Sequence, residues 1–219
     1  MDKKHVIIVL GTAHLATTPG KGSPDGKFKE YKYSREIVSI IKSILTGYGY
    51  KVLVDYEDDK LPKSMQTPSA KLEQSRELGL RVNYVNEVCR NNGSGNVLYI
   101  SIHCNAAGAD GKWHDARGWS VYTSPGRTKS DDLATCIWNA AKKNLPNDHK
   151  NALRADWSDK DPDYEAALYV LTKTNCVAVL TENLFQDNKE DVAYLTSDEG
   201  IHAISRLHVE GIIDFIERF

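Results

Sequence analysis

Three apolar runs without polar alternation constrain this chain more than any other feature: VIIVL at residues 6–10, VLYISI at 97–102 and VAVL at 177–180. A strand with one wet face alternates apolar and polar residues. A strand covered on both faces does not, so runs of this kind point to the interior of a parallel sheet. Six strand-like runs are expected, at residues 6–10, 51–54, 97–103, 119–123, 167–171 and 177–181. Between them lie amphipathic stretches with helical spacing. Tyr33, Ile37, Ile40, Ile41, Ile44 and Tyr48 mark one stripe, ended by Gly47 and Gly49, and Leu78, Val82, Val85 and Cys89 mark a second. A third helix is expected over residues 131–143, and a last one carries Ile201, Ile204, His208, Ile212 and Phe215, with Thr196 and Glu199 as its capping box. Strands alternating with helices predict an α/β fold: a mostly parallel twisted sheet of about six strands with helices on both faces, in one domain spanning residues 1–219. Residues 57–75 and 105–118 read as long loops, and loops of that length inside a compact unit are usually functional.

Charge narrows the partners. With 28 basic and 30 acidic side chains the formal charge is −2, which offers neither nucleic acid nor an anionic membrane an electrostatic reason to bind. The apolar runs are far shorter than the roughly 20 residues that span a bilayer. The N-terminal stretch MDKKHVIIVL stops being apolar at Gly11 and lacks a secretory cleavage site, so a cytoplasmic chain is expected until it is released or exported by another route. Cys89, Cys104, Cys136 and Cys176 are far apart, form no Cys-x-x-Cys pair and sit in or beside apolar segments, which reads as buried free thiols. A monomer is expected.

In open α/β sheets ligands bind beyond the carboxyl ends of the strands. Three of the apolar runs end there in reactive groups: GTAH delivers His14, SIH delivers His103 and LTE delivers Glu182. Glu30 shares the inward stripe of the first helix with Tyr33 and Ile37. It either complements the dipole of the first helical turn or, because this helix follows the loop after the first strand, joins His14. Two imidazoles and a carboxylate with a fourth position open form the catalytic type of zinc site. Glu182 beside it would take a proton from water and pass it to a leaving amine, which is amide hydrolysis.

These residues carry a resemblance. VLYISIHCNAAG resembles the Ser-Ile-His-x-Asn-Ala strand end of the zinc-dependent N-acetylmuramoyl-L-alanine amidases of the type-3 family. VAVLTENLFQDNKEDVAYLTSDEG resembles that family's Val-Glu-x-x-Phe strand end and following helix, EYKYSREIVSIIKSILTGYGYKVLV its glutamate before Gly-Tyr-Lys-Val, and LRVNYVNEV its Arg-x-x-x-x-Asn helix. The resemblance covers nearly the whole chain. It implies zinc ligation by His14, Glu30 and His103, Glu182 as the catalytic carboxylate, and peptidoglycan as substrate. Leu15 and Ala16 stand where the family usually has glycines, and Ser34 where it has asparagine. No cell-wall-binding repeat is recognisable. A zinc peptidase of carboxypeptidase type and a murein-binding module without turnover are the alternatives.

Other residues have plainer readings. His208 lies on the apolar stripe of the last helix and reads as a packed core histidine, whereas His5, His114, His149 and His202 read as surface residues. Cys104 should face away from His103, since successive strand residues alternate, while Asn105 returns to the His103 side as a candidate substrate contact. Trp113, Trp119 and Trp157 are candidates for stacking on sugar or for packing. Arg117 is a second candidate substrate contact, with Arg127 and Arg154 as further basic groups for an acidic peptide.

Overall fold

The computed structural model describes residues 4–146 and 153–219; the reading of His149 falls outside the described residues. In chain order the elements are β1 (Ile7–Thr12), α1 (Glu30–Gly47), β2 (Lys51–Val54), α2 (Ala70–Asn92), β3 (Val97–Asn105), β4 (Ser120–Thr123) and α3 (Lys129–Asn144). They continue with β5 (Tyr164–Glu165), α4 (Tyr169–Thr172), β6 (Val177–Phe185), α5 (Lys189–Leu195) and α6 (Asp198–Arg218). The six strands form one sheet in the order β2-β1-β3-β6-β4-β5, parallel throughout except for β4 against β6.

The apolar runs are covered on both faces. From β1, Ile8 and Leu10 enter a core with α1, α3 and α6, while Ile7 and Val9 enter a second core with α2 and α4. Each fully buried aliphatic chain of this kind contributes roughly 1.5–3 kcal/mol. On the first face α3 and α6 approach so closely that a Cβ at Gly211 would lie 2.5 Å from Ile137 Cα. The chain leaves β1 for β2 on one side and returns by α2 to β3 on the other, so the strand order reverses between β1 and β3. Their carboxyl ends flank the crevice where α/β sheets place ligands.

A buried ionic network holds the ends of β1 and β2 together. Arg81 of α2 donates to Asp55 at 2.7 Å, to Glu77 at 2.9 Å and to Thr12 at 3.0 Å. Asp55 also accepts from Tyr99 OH at 2.8 Å and from the Thr12 backbone N–H at 3.0 Å, which settles the carbonyl end of β1 two residues before His14. Its carboxylates hold the Arg81 guanidinium charged despite its burial.

Three expectations require correction. Residues 167–171 are not a strand: Leu168 and Tyr169 are exposed, only Val170 and Leu171 are buried, and the stretch closes into the single turn of α4, with β5 preceding it. A short apolar run fits either element when so few of its residues are buried. The polar stretch 57–75 is not all loop, because Ser69 accepts from Leu72 N–H and starts α2 at Ala70, a solvated turn without an apolar stripe. The last helix is capped by Ser197, which accepts from Gly200 N–H, while Thr196 closes α5; the capping box lies at Thr128 and Asp131 on α3.

Candidate metal centre

His14 comes two residues after β1, in the left-handed region at φ 47°. That conformation costs a non-glycine residue on the order of 1–3 kcal/mol and needs support from its surroundings. Two α1 side chains supply it. Ser34 Oγ accepts from Ala13 N–H at 2.8 Å and donates to Ile102 O at 2.6 Å, tying the His14 turn to β3. Arg35 donates to the His14 carbonyl through both terminal nitrogens, at 3.1 and 3.2 Å, and also to the carbonyls of Ala13, Tyr31, Glu57 and Asp58.

Glu30 opens α1 and is fully buried. Its Oε1 accepts from the Cys104 backbone N–H at 3.0 Å and lies 3.1 Å from His103 Nδ1; its Oε2 lies 3.4 Å from His14 Nε2. The two imidazoles meet edge to face with centroids 4.8 Å apart. One ligand atom from each of His14, Glu30 and His103 falls within 4.8 Å of the others. Glu30 thus takes the second reading left open above. Burial pushes its pKa up, but the charges of His14 and the contact with His103 outweigh this and hold it well below the usual carboxylate range. Burial lowers the His103 pKa in spite of Glu30, favouring the neutral imidazole.

Glu182 stands directly across from His103 in the parallel β3–β6 pair, and residues in register share a face. Burial, then the negative charge of Glu30, raises its pKa well above the carboxylate range, with Lys21 opposing. Beyond this point the strands slip: Asn105 pairs with Phe185, so β6 holds one extra residue, and Leu184 adopts φ 62°. Asn183 stabilises the bulge. Its amide nitrogen donates to His103 O at 2.9 Å and to Thr181 Oγ1 at 3.1 Å, and its oxygen accepts from Trp119 Nε1 at 2.7 Å.

The cluster fits a metal ion on its own chemistry. Glu30 Oε2 and Glu182 Oε2 are buried without a hydrogen-bond partner among the described residues, and the two carboxylates raise each other's cost of ionisation. A cation beside two imidazole nitrogens and a carboxylate oxygen relieves that cost. Two nitrogens with one oxygen suit a borderline-soft ion such as zinc better than magnesium or calcium.

The chain matches the family model described as Amidase_3, N-acetylmuramoyl-L-alanine amidase, over residues 8–214. It belongs to this amidase family. An endolysin of Bacillus phage SPP1 is 29% identical over 199 residues, which are 89% of this chain and 61% of the phage protein, so the chain spans about three-fifths of that relative. The CwlD amidase of Clostridioides difficile, solved in complex with the GerS lipoprotein, superposes with a TM-score of 0.75 at 19% identity, covering 97% of this chain and 98% of that one. Ami1 of Mycobacterium smegmatis, an N-acetylmuramyl-L-alanine amidase, does so at 0.73 and 16% identity, covering 98% of both. These structures share the amidase fold.

The remaining candidates of this amidase-family chain divide. Asn105 is half-buried at the end of β3, and its Oδ1 accepts from the Ala106 backbone N–H. Arg117 pairs with Glu190 and approaches Asp191 at 3.7 Å, both on α5. Trp119 is fully buried and packs, Trp113 receives Lys189 over its ring, and exposed Trp157 stacks edge-on against Trp138. Arg127 faces Asp161 at 3.6 Å and Arg154 covers the Phe185 ring. His208 is buried as expected, His5 and His202 are exposed, and His114 is half-buried against Asp110. Cys104 lies in the core on the α1 side, with its thiol pushed up by burial; Cys89 and Cys136 are also buried and free, and Cys176 is only half-buried. Sequence reading missed Arg35, Asn183 and the bridging function of Ser34. Asn183, a polar residue inside a buried strand next to the acid, was the available signal.

Proposed function

We propose that this chain is a zinc-dependent N-acetylmuramoyl-L-alanine amidase, hydrolysing the amide between the lactyl group of N-acetylmuramic acid and L-alanine in bacterial peptidoglycan. The observation that carries this reading is the His14–Glu30–His103 cluster with Glu182 in register beside it, in a chain of this family. A zinc ion held by those three residues supplies a Lewis acid for the scissile carbonyl and lowers the pKa of the attacking water. Glu182, desolvated and with a raised proton affinity, takes the proton of that water and passes it to the departing alanine nitrogen. Lys21 opposes that rise, and the charge of a zinc ion held beside it would favour the carboxylate form that acts as the base. Glu30 keeps its charge and, through its contact with His103 Nδ1, orients that ring. One copy of the chain holds the full set, so a monomer acts at the wall.

The test is Glu182→Gln, which keeps shape and polarity but carries no transferable proton. Turnover of muropeptides is expected to fall about 10²–10⁴-fold with metal content unchanged. Mass spectrometry of the digest identifies the bond: an amidase frees intact stem peptides beginning with alanine, while a carboxypeptidase shortens them from the other end. Activity of the variant near the parent's would remove Glu182 from the mechanism.

A further inference from the structure

The four free cysteines are distant in sequence, but the fold sorts them onto the two faces of the sheet. Cys104 and Cys136 lie in the core formed with α1, α3 and α6. Cys89 lies in the core on the opposite face, and Cys176 packs against that same core. A bond between the two sets would have to cross the sheet.

The helix α2 brings Cys89 and Cys176 together. One turn before Cys89, the Asn86 side chain donates to Lys173 O at 2.8 Å and accepts from Asn175 N–H at 2.8 Å, clamping the turn that leads from α4 into β6. Residues three apart on a helix share a face, so Cys89 stands beside this clamp where the chain passes from Asn175 to Cys176. The two thiols act directly on each other through a side-chain hydrogen bond and through charge. Neither serves the metal centre. Cys176 sits at the opposite end of β6 from Glu182, on the order of 20 Å away at about 3.3 Å per residue.

Access differs between the two sulfurs. Cys89 is buried, whereas Cys176 is half-buried and lines a cavity of about 500 Å³ with Pro125, Thr128, Leu171 and Thr174. One sulfur is within reach of a small molecule, and the other stands behind it to resolve an adduct.

We propose that Cys89 and Cys176 are a site of reversible disulfide formation, closed by exchange with a small-molecule disulfide when the folded chain is in oxidising surroundings. The Cys176 thiolate attacks one sulfur of the small disulfide, forming a mixed disulfide and releasing one small thiolate. The Cys89 thiolate then attacks Cys176 Sγ and releases the second. The two cysteines give up two electrons and two protons, and the small disulfide takes them up as two thiols. The new bond bolts the end of α2 to the start of β6 and closes a long loop, which restricts the unfolded chain. Burial pushes both thiols up, and only the thiolate attacks, so closure quickens about tenfold per pH unit above neutrality. No residue of the metal centre takes part, so the proposal stands apart from the amidase reading.

The test incubates the folded full chain with oxidised glutathione at pH 8.5. Two of the four thiols should be lost, two glutathione thiols should be released per chain, and a non-reducing digest should contain a peptide linked through Cys89 and Cys176. The oxidised protein should melt about 5–10 °C above the same sample reduced with dithiothreitol. Cys89→Ala should stop at a glutathione adduct on Cys176, and Cys176→Ser should form no bond to Cys89 and show no gain in Tm. Four free thiols after oxidation, linkage through Cys104 or Cys136, or a bond that forms only in denaturant would each overturn the proposal, as would a bond that leaves Tm unchanged.

Discussion

His208 offers a test of how the interior supports the candidate metal centre. Its Nδ1–H donates to Ile204 O at 2.7 Å, so Nε2 is the acceptor and takes the Thr181 hydroxyl at 2.9 Å; Thr181 Oγ1 accepts from Asn183, which in turn donates to the His103 carbonyl. Protonating Nε2 would reverse that bond, so that Thr181 Oγ1, which already accepts from Asn183, would have to accept from the ring as well and lose its own acceptor. Burial lowers the His208 pKa to about 4, only partly offset by the Ile204 carbonyl. An unfolded histidine titrates near 6.5, so between these values the unfolded chain binds the proton and the native one does not, and stability falls as pH falls. The loss works out at about 2 kcal/mol at pH 5 and about 3 kcal/mol at pH 4, relative to pH 8. Urea unfolding of parent and His208→Asn, both with chelator present, isolates it, because His14, His103 and the carboxylates contribute to both chains. Asn keeps a donor for Ile204 O and does not titrate, so the parent's stability advantage at pH 8 should shrink by about 2 kcal/mol at pH 5. Parallel stability–pH curves would refute the assignment of a neutral, strained-if-charged imidazole at this position.

Two further outcomes follow from the same accounting. Burial, with help from Asp161 and against the Thr123 hydroxyl, pushes the Asp163 pKa up to about 7, so its contribution to stability is present at low pH and lost as pH rises through 7, opposite in sign to that of His208. Asp163→Asn should therefore already be the more stable protein at pH 5.5 and gain about a further 2 kcal/mol on the parent by pH 8.5, read by calorimetry; equal differences at both pH values would count against it. Arg35→Met removes the donors that hold the His14 carbonyl and should weaken zinc binding about 10–100-fold in competition with a chromogenic chelator, with little change in the fold's circular dichroism.

The sheet was legible because its central strands are covered on both sides. VIIVL and VAVL have no polar residue and VLYISI only Ser101, which does not produce an alternation, and β1, β3 and β6 occupy those places in the structure. Legibility failed where few residues touch the core. The first turns of α2 are solvated and carry no stripe, β5 is a two-residue edge strand, and the run at 167–171 buries only Val170 and Leu171. Periodicity reports burial, and where burial is slight the local pattern is decided by turn and cap hydrogen bonds that short windows do not encode.

The candidate metal centre divides along a different line. His14, Glu30, His103 and Glu182 stood out because each is a reactive group at a strand or helix end, and the parallel topology then brings three loop and strand termini to one rim. The residues that hold these groups in place bear no such mark. Arg35 could have been any solvated helix arginine, and Asn183 gains its function only from a bulge that displaces β6 by one residue relative to β3. That bulge is also what makes the centre asymmetric. Up to Glu182 the two strands run in register and place Glu182 beside His103; past it, β6 holds one extra residue and Leu184 takes a positive φ. One inserted residue therefore separates the stretch of β6 that carries Glu182 from the end of the strand. Deleting Leu184 would restore simple register at the expense of the Asn183 support to the His103 carbonyl.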